Sequence, residues 1–421
     1  MSVLESQRLS DAVTLHTFTD PRFKTMKVSV NLFLPLEQAT AARNAILPSL
    51  ASRATRAYPD YTALNGRLAQ LYGASLSNSV RKMGDFQVLS LSANGISSRY
   101  AFGGEDMFAQ LTGLLFDVLF DPLKDQEGLF PEEGFRQEQR QLLEMLDSEY
   151  NDKMVYAHQR CEELLFQGQN AGLGRCGSRA DVEALERRAV TAGWEELLQN
   201  AKIEIFALGD CVPDAEAFRA RFAGLGKAQP TGLLAYQAPG EARRLTEEQP
   251  LSQSKLSMAY LADYTPEERP LFRLMAAALG GVPSSKLFQN VREKMSLCYY
   301  CSTGMGAGNR AMFIESGVET ANLERAEEAI YQQLAALQQG ELTEEELLSA
   351  KLALVNSQRS VTDSLAAVEG SYLGQAFNGC VLSQEEAVQQ ILSYTREQVV
   401  EAAGRLRLAA VYTLKGGAQH G

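Results

Sequence analysis

Gly280-Gly281-Val-Pro283-Ser284-Ser-Lys-Leu-Phe288-Gln-Asn-Val-Arg292-Glu-Lys-Met-Ser-Leu297-Cys-Tyr299-Tyr300 reads as turn, helix, turn and strand. Two glycines and Pro283 break the chain. Leu287, Phe288, Val291 and Met295 then recur at helical spacing. Leu297 to Cys301 is short, apolar and aromatic, as strands are. The stretch ends with a cation, Arg292, and a phenol, Tyr299, placed past a tight turn. A guanidinium fork and a tyrosine hydroxyl can together hold a peptide carbonyl, or the oxyanion that forms from one. The plainer reading stands beside it: a helix-surface Arg and a half-buried strand Tyr.

Outward from this stretch, the 421 residues exceed one ordinary core, so two or more domains are expected. Hydrophobic content of 45% and charged content of 22% are globular values. A net charge of −12 argues against nucleic acid as a partner. Met1 to Leu9 is polar and does not read as a signal peptide. The longest apolar run, Leu111 to Phe120, is interrupted by Asp117 and is too short to span a bilayer, so no membrane role is expected. Cysteines at 161, 176, 211, 298, 301 and 380 follow no secreted spacing and point to free thiols in a reducing cytoplasm.

Read in order, Met26 to Leu34 alternates as a strand with one buried face. Ala39 to Thr55 is helical in tendency, with Pro48 kinking it or starting a new segment. Tyr61 to Tyr72 is a helix closed by Gly73. Phe86 to Ala93 is a strand, and Met107 to Leu119 an amphipathic helix. Glu132 to Leu165 is a long charged helical region. Helix 182–199, strand 203–208 and helix 213–222 complete this half. Lys227 to Pro250 holds three prolines and little periodicity and is read as a linker. Beyond it, strands are expected at 254–262, 312–318 and 408–414. Helices are expected at 271–279, 323–337, 343–358, 383–392 and 395–405. Capping boxes open at Thr265 and Thr343.

The halves align. Arg67–Leu76 answers Val291–Tyr300, Pro131–Phe135 answers Thr343–Leu347, and Lys202–Leu208 answers Arg407–Leu414. One α+β domain used twice is the expected architecture, as residues 1–226, a linker 227–250, and residues 251–421. Each half is expected to carry a mainly antiparallel sheet flanked by helices, the two facing each other across a cleft.

Metal chemistry is poorly supplied. His16, His158 and His420 are the only histidines, and no two lie four apart. His158, Cys161 and Cys176 could converge, but Met154, Ala157, Cys161 and Leu164 form an apolar stripe that makes Cys161 a core thiol. Cys298-Tyr-Tyr-Cys301 has redox spacing, yet in a regular strand its sulfurs would point to opposite faces. No Gly-x-Ser-x-Gly occurs, and Gly304-Met-Gly306-Ala-Gly308 opens no helix that could cradle phosphate.

Ser284-Ser-Lys-Leu-Phe288, Arg292-Glu-Lys294 and Leu297-Cys-Tyr299 resemble a signature of the insulinase (pitrilysin) family of zinc peptidases. Leu173-Gly-Arg-Cys-Gly177, Phe206-Ala-Leu-Gly-Asp210 and the duplicated halves fit the same resemblance, which extends over nearly the whole chain. Active members of that family carry His-x-x-Glu-His on the first long helix: two zinc ligands and a base. The corresponding residues here are Leu47-Pro48-Ser49-Leu50-Ala51, with Glu144 nearest to the third ligand. The resemblance therefore implies no catalytic residue, no bound metal and no cofactor in this chain, since one carboxylate cannot hold Zn²⁺ in a three-ligand site. It implies instead the non-catalytic subunit of a two-subunit peptidase, as in processing peptidases and in small bacterial cytoplasmic homologues. Arg292 and Tyr299 would grip the peptide substrate, and a zinc-bearing subunit would complete a heterodimer. The alternative is a catalytically inert scaffold or peptide-binding homologue, and a homodimer when the chain is alone is left open. The Gly280-Gly281 loop is shorter than its mitochondrial counterpart, so presequence recognition does not carry over.

Overall fold

Val28, Val30, Leu32 and Leu34 alternate along the chain and are buried, as a strand with a core face requires. Ser29, Asn31 and Phe33, on the opposite face, are buried as well. The expected single buried face is thus two, and the covering element comes from far along the sequence. The computed structural model describes residues 4–417 apart from 234, 235, 237 and 238. Its strands are β1 (Glu5–Arg8), β2 (Val13–Thr19), β3 (Thr25–Pro35), β4 (Ser75–Met83), β5 (Phe86–Ile96), β6 (Lys202–Gly209), β7 (Arg243–Gln249), β8 (Ser254–Leu261), β9 (Cys298–Met305), β10 (Ala311–Val318) and β11 (Arg407–Gly416). The helices are α1 (Ala41–Ala51), α2 (Tyr61–Gln70), α3 (Met107–Phe120), α4 (Glu132–Asn151), α5 (Lys153–Leu165), α6 (Arg179–Glu183), α7 (Arg187–Asn200) and α8 (Ala215–Arg221). Later in the chain come α9 (Arg269–Ala276), α10 (Leu323–Gln338), α11 (Glu344–Arg359), α12 (Leu365–Asn378), α13 (Gln384–Ser393) and α14 (Arg396–Gly404).

Residues 1–147, 173–231 and 363–373 form one compact unit. Its sheet runs β1-β2-β6-β3-β5-β4, antiparallel except for the parallel pair of β2 with β6. Helices α1, α3 and α7 pack on the face carrying Val28, Val30 and Leu32. Pro48 sits inside α1 without ending it. The opposite face carries Lys27, Ser29 and Asn31. There Glu369 of α12 accepts from Ser29 Oγ, from Asn31 Nδ2 at 3.1 Å, and pairs with Lys27 Nζ at 2.6 Å.

Residues 148–172, 232–362 and 374–421 form the second unit. Its sheet runs β7-β11-β8-β10-β9, again with one parallel pair, β7 with β11. Strand for strand this repeats β2-β6-β3-β5-β4, so the duplication read in the sequence is a duplication of topology. The match is close: among the described residues, the two non-glycine residues with positive φ, Tyr72 (56°) and Ser296 (50°), occupy equivalent places before β4 and β9. Helices α9, α10 and α14 cover one face of this sheet. Helix α5 covers the other, burying Ala157, Cys161 and Leu165 against Ala259, Phe313 and Tyr412.

Each unit therefore takes one sheet-covering segment from the other half of the sequence. The charged region 132–165 breaks at Asp152, whose carboxylate caps α5 through the amides of Met154 and Val155. Within the stretch expected as a linker, Arg243–Gln249 is the parallel edge strand β7. Gly280 and Gly281 continue the helical path as a wide turn instead of breaking it. A Cβ at Gly280 would approach Thr303 Cγ2 to 2.7 Å, so glycine lets this turn lie against β9.

Candidate functional site

The stretch 287–305 builds a small exposed corner. Leu287 and Val291 are buried and anchor a wide-turned helix, Leu287–Lys294. Met295, expected on the apolar stripe, is exposed instead, because the helix ends there and Ser296 turns the chain with positive φ. Arg292 sits on the last turn. Its Nε donates to the Tyr299 carbonyl at 2.8 Å and its Nη1 to Glu293 Oε1 at 2.9 Å. The guanidinium lies 4.5 Å from the Phe288 ring centroid, a cation–π contact. Tyr299 is 57% exposed, and its hydroxyl donates to Glu319 Oε1 at 3.2 Å. That hydrogen bond and the Glu319 charge raise the phenol pKa, which keeps the hydroxyl a donor.

Arg292 and Tyr299 are thus brought together, and guanidinium Nη2 has no hydrogen-bond acceptor among the described residues. Glu293 and Phe288, which the sequence offered only as parts of the signature, and Glu319, which it did not single out, complete the corner. Glu319 follows β10, and only the pairing of Val318 with Cys298 reveals that it lies beside Tyr299.

Pairing also corrects the reading of the two cysteines. Val318 pairs with Cys298 but Gly317 pairs with Tyr300, so Tyr299 is an extra residue in a β-bulge. The bulge shifts the alternation by one. Cys298 and Cys301 then share a face, opposite Val318 and Ser316, instead of taking opposite ones.

The positions matching the zinc motif lie in the first unit. Leu47 and Ala51 are buried in its core, and Leu50 lines a cavity of about 1040 Å³ with Ser49, Arg53, Asp60, Gln137 and Glu138. Glu144 is exposed, pairs with Arg140 at 3.7 Å, and does not line this cavity. Of the carboxylates that do, Asp60, Glu133 and Glu138, the last is bound to Arg53 at 2.5 Å. A guanidinium and aliphatic side chains cannot ligate zinc. His158 pairs with Glu315 at 2.8 Å, and the Cys161 thiol donates to the Ser257 carbonyl. Burial pushes that thiol up to about 12, which disfavours the thiolate a metal needs. Cys176 packs in the core of the first unit, and His420 lies outside the described residues. Among the described residues no group of three or more His, Cys, Asp or Glu is arranged to hold a metal ion.

The model for the Peptidase M16 inactive domain matches residues 185–354, a span that includes Arg292 and Tyr299. The chain is an inactive-type homologue of the M16 peptidases. M16 is the insulinase class that the Ser284–Tyr299 signature resembles. This M16 homologue is 24% identical over 411 residues, 96% of each chain, to the probable inactive metalloprotease YmfF of Bacillus subtilis. It superposes on a conserved protein from Enterococcus faecalis with a TM-score of 0.90 at 27% identity, covering 99% of this chain and 100% of that one. It also shares its fold with a peptidase M16 inactive domain from Pseudomonas fluorescens, TM-score 0.78 at 19% identity, over 99% and 100% of the two chains. Among the described residues of this M16 homologue, no helix is long and apolar enough to cross a membrane.

Proposed function

We propose that this chain is the non-catalytic, substrate-binding subunit of a heterodimeric zinc peptidase of the bacterial cytoplasm. A zinc-bearing homologue supplies metal and base. Arg292 and Tyr299 hold the peptide. The carrying observation is the pairing of a half-exposed guanidinium at the end of a helix with an exposed hydroxyl on the bulged edge strand that follows it, in a chain with Leu47, Leu50 and Ala51 at the zinc-motif positions. Arg292 is already oriented by the Tyr299 carbonyl, so its remaining N–H groups are pre-positioned. A substrate carbonyl needs the Tyr299 hydroxyl to turn from Glu319 and donate to it instead. Donors held at the site of developing charge act mainly on the transition state.

A mixture of this chain with a zinc-bearing family member encoded beside it is expected to cleave peptides. Arg292→Ala and Tyr299→Phe are each expected to lower kcat by ~10²-fold, the scale of one lost transition-state donor, with dimer formation unchanged on sizing. Wild-type turnover in both variants would sink the assignment. A second reading, an inert scaffold or peptide holder, draws on the internal partners that Arg292 and Tyr299 already have, Glu293 and Glu319. Its sign is a stable assembly, heterodimer or homodimer, that cleaves nothing.

A further inference from the structure

We propose that Cys298 and Cys301 form a peroxide-responsive dithiol whose closure to a disulfide reshapes the bulge carrying Tyr299. The argument starts from register. In a regular strand residues three apart face opposite ways. The extra residue at Tyr299 cancels that, and both sulfurs face the side of Ser316 and Val318. Cys301 is buried and packs in the core beneath the sheet, while Cys298 is half-buried at its rim. One thiol is therefore within reach of a small oxidant, with the second shielded just behind it.

Charge and hydrogen bonding favour reaction at Cys298. The Cys301 thiol hydrogen-bonds its sulfur and, with help from Ser316 and the Arg292 charge, holds its pKa down to about 7 against the effect of burial. The same interaction and burial push Cys301 well above its ordinary value. Burial pushes Cys161 and Cys211 up to about 12, and it also raises Cys380. A low-pKa, accessible thiolate beside a resolving thiol is the arrangement that sensor cysteines use.

The steps balance. The Cys298 thiolate attacks one peroxide oxygen, the O–O bond breaks, and hydroxide leaves, giving a sulfenic acid. Cys301 sulfur then attacks the Cys298 sulfur, the S–O bond breaks, and the departing hydroxide takes the thiol proton as water. Two thiols lose two electrons and two protons, and one hydrogen peroxide becomes two waters. A disulfide needs Cα atoms within about 7 Å. Three residues of regular strand span roughly 10 Å, and the bulge that lets the two thiols meet shortens this only in part. Closure must therefore tighten the bulge and move Tyr299, the residue that protrudes from it. Edge strand β9 is bonded on one side only, by β10, so the change breaks few pairings. That Tyr299 handles substrate rests on the function proposed above, whereas the disulfide does not.

The test treats the reduced full-length chain with hydrogen peroxide, alkylates after denaturation, and maps peptides by mass. The expected result is a Cys298–Cys301 linkage with the other four cysteines still alkylated. Cys301→Ser should arrest at a dimedone-trappable sulfenic acid on Cys298, and Cys298→Ser should slow thiol loss by at least about 10-fold. Thiol loss led by Cys380, or a wild-type chain that shows no Cys298–Cys301 linkage, would overturn the proposal. In the reconstituted pair, oxidation should lower peptide turnover and dithiothreitol restore it. A disulfide that forms without changing turnover would count against the substrate-binding role of Tyr299, not against the dithiol.

Discussion

His16 and Glu204, both buried, and the half-buried Lys202 form a chain of polar contacts on the first sheet. His16 Nε2 meets Glu204 Oε2 at 2.8 Å, and Lys202 Nζ meets Oε1 at 3.0 Å. Burial alone would raise the Glu204 carboxyl, but the His16 hydrogen bond and the Lys202 charge together hold it below its ordinary value. A carboxyl depressed in the folded state contributes stability that is complete above its unfolded pKa. That contribution is lost as pH falls through the folded value. Glu204→Gln should therefore cost about 2 kcal/mol near neutral pH, the scale of a hydrogen bond to a charged group, and much less in acid. Urea midpoints of both proteins across that range check this; a gap that persists unchanged in acid would refute it. At the same scale, sequence spacing was enough to foresee Arg292 beside Tyr299, because a helix, a tight turn and a strand bring residues on either side of the turn together. The side on which each cysteine falls was not legible, because the bulge is set by pairing with Gly317 and Val318, outside any local pattern. Glu144 was chosen by position along α4, and the helix turns it to solvent while Glu138 faces the cavity.

Among the elements, α12 shows how much one side chain can organise. Glu369 gathers Lys27, Ser29 and Asn31, and its side chain is only 3% exposed against 13% for Lys27. Removing one partner of a buried pair leaves the other charged and unpaired. Glu369→Ala is expected to cost about 3–5 kcal/mol, and adding Lys27→Met should return a large part of it. Chemical denaturation of the single and double variants measures this directly; a double variant no more stable than Glu369→Ala would show that the pair is not what fixes the helix. The sequence concealed α12 because Leu365–Asn378 mixes Gly370 and Gly374 into a weakly periodic run. It concealed β7 because Arg-Arg-Leu-Thr-Glu-Glu-Gln carries almost no apolar alternation, being an edge strand that buries little. By contrast, β3 was legible from its period-two alternation, and the capping boxes at Thr265 and Thr343 because each is closed by contacts three residues apart.

For the whole molecule, the interleaving of segments decides how the chain can be divided. The second sheet buries Ala259, Phe313, Ala409 and Tyr412 under α5, which precedes it by about ninety residues of sequence. A fragment of residues 251–421 lacks α5 and also lacks β7, so it exposes that apolar face and frees the edge of β11. Exposed apolar faces and bare strand edges drive association. A fragment of residues 1–226 lacks Glu369, leaving Lys27 without its carboxylate and Ser29 and Asn31 without an acceptor they now share. Neither fragment should fold as a soluble monomer when expressed alone. Fragments 1–226 and 227–421 made in the same cell should assemble, because together they restore every covering segment. Sizing and near-ultraviolet circular dichroism of each preparation settle the matter. A lone 251–421 fragment that runs as a monomer with native aromatic signal would mean that the duplicated domain is self-sufficient and that the exchanged helices are dispensable.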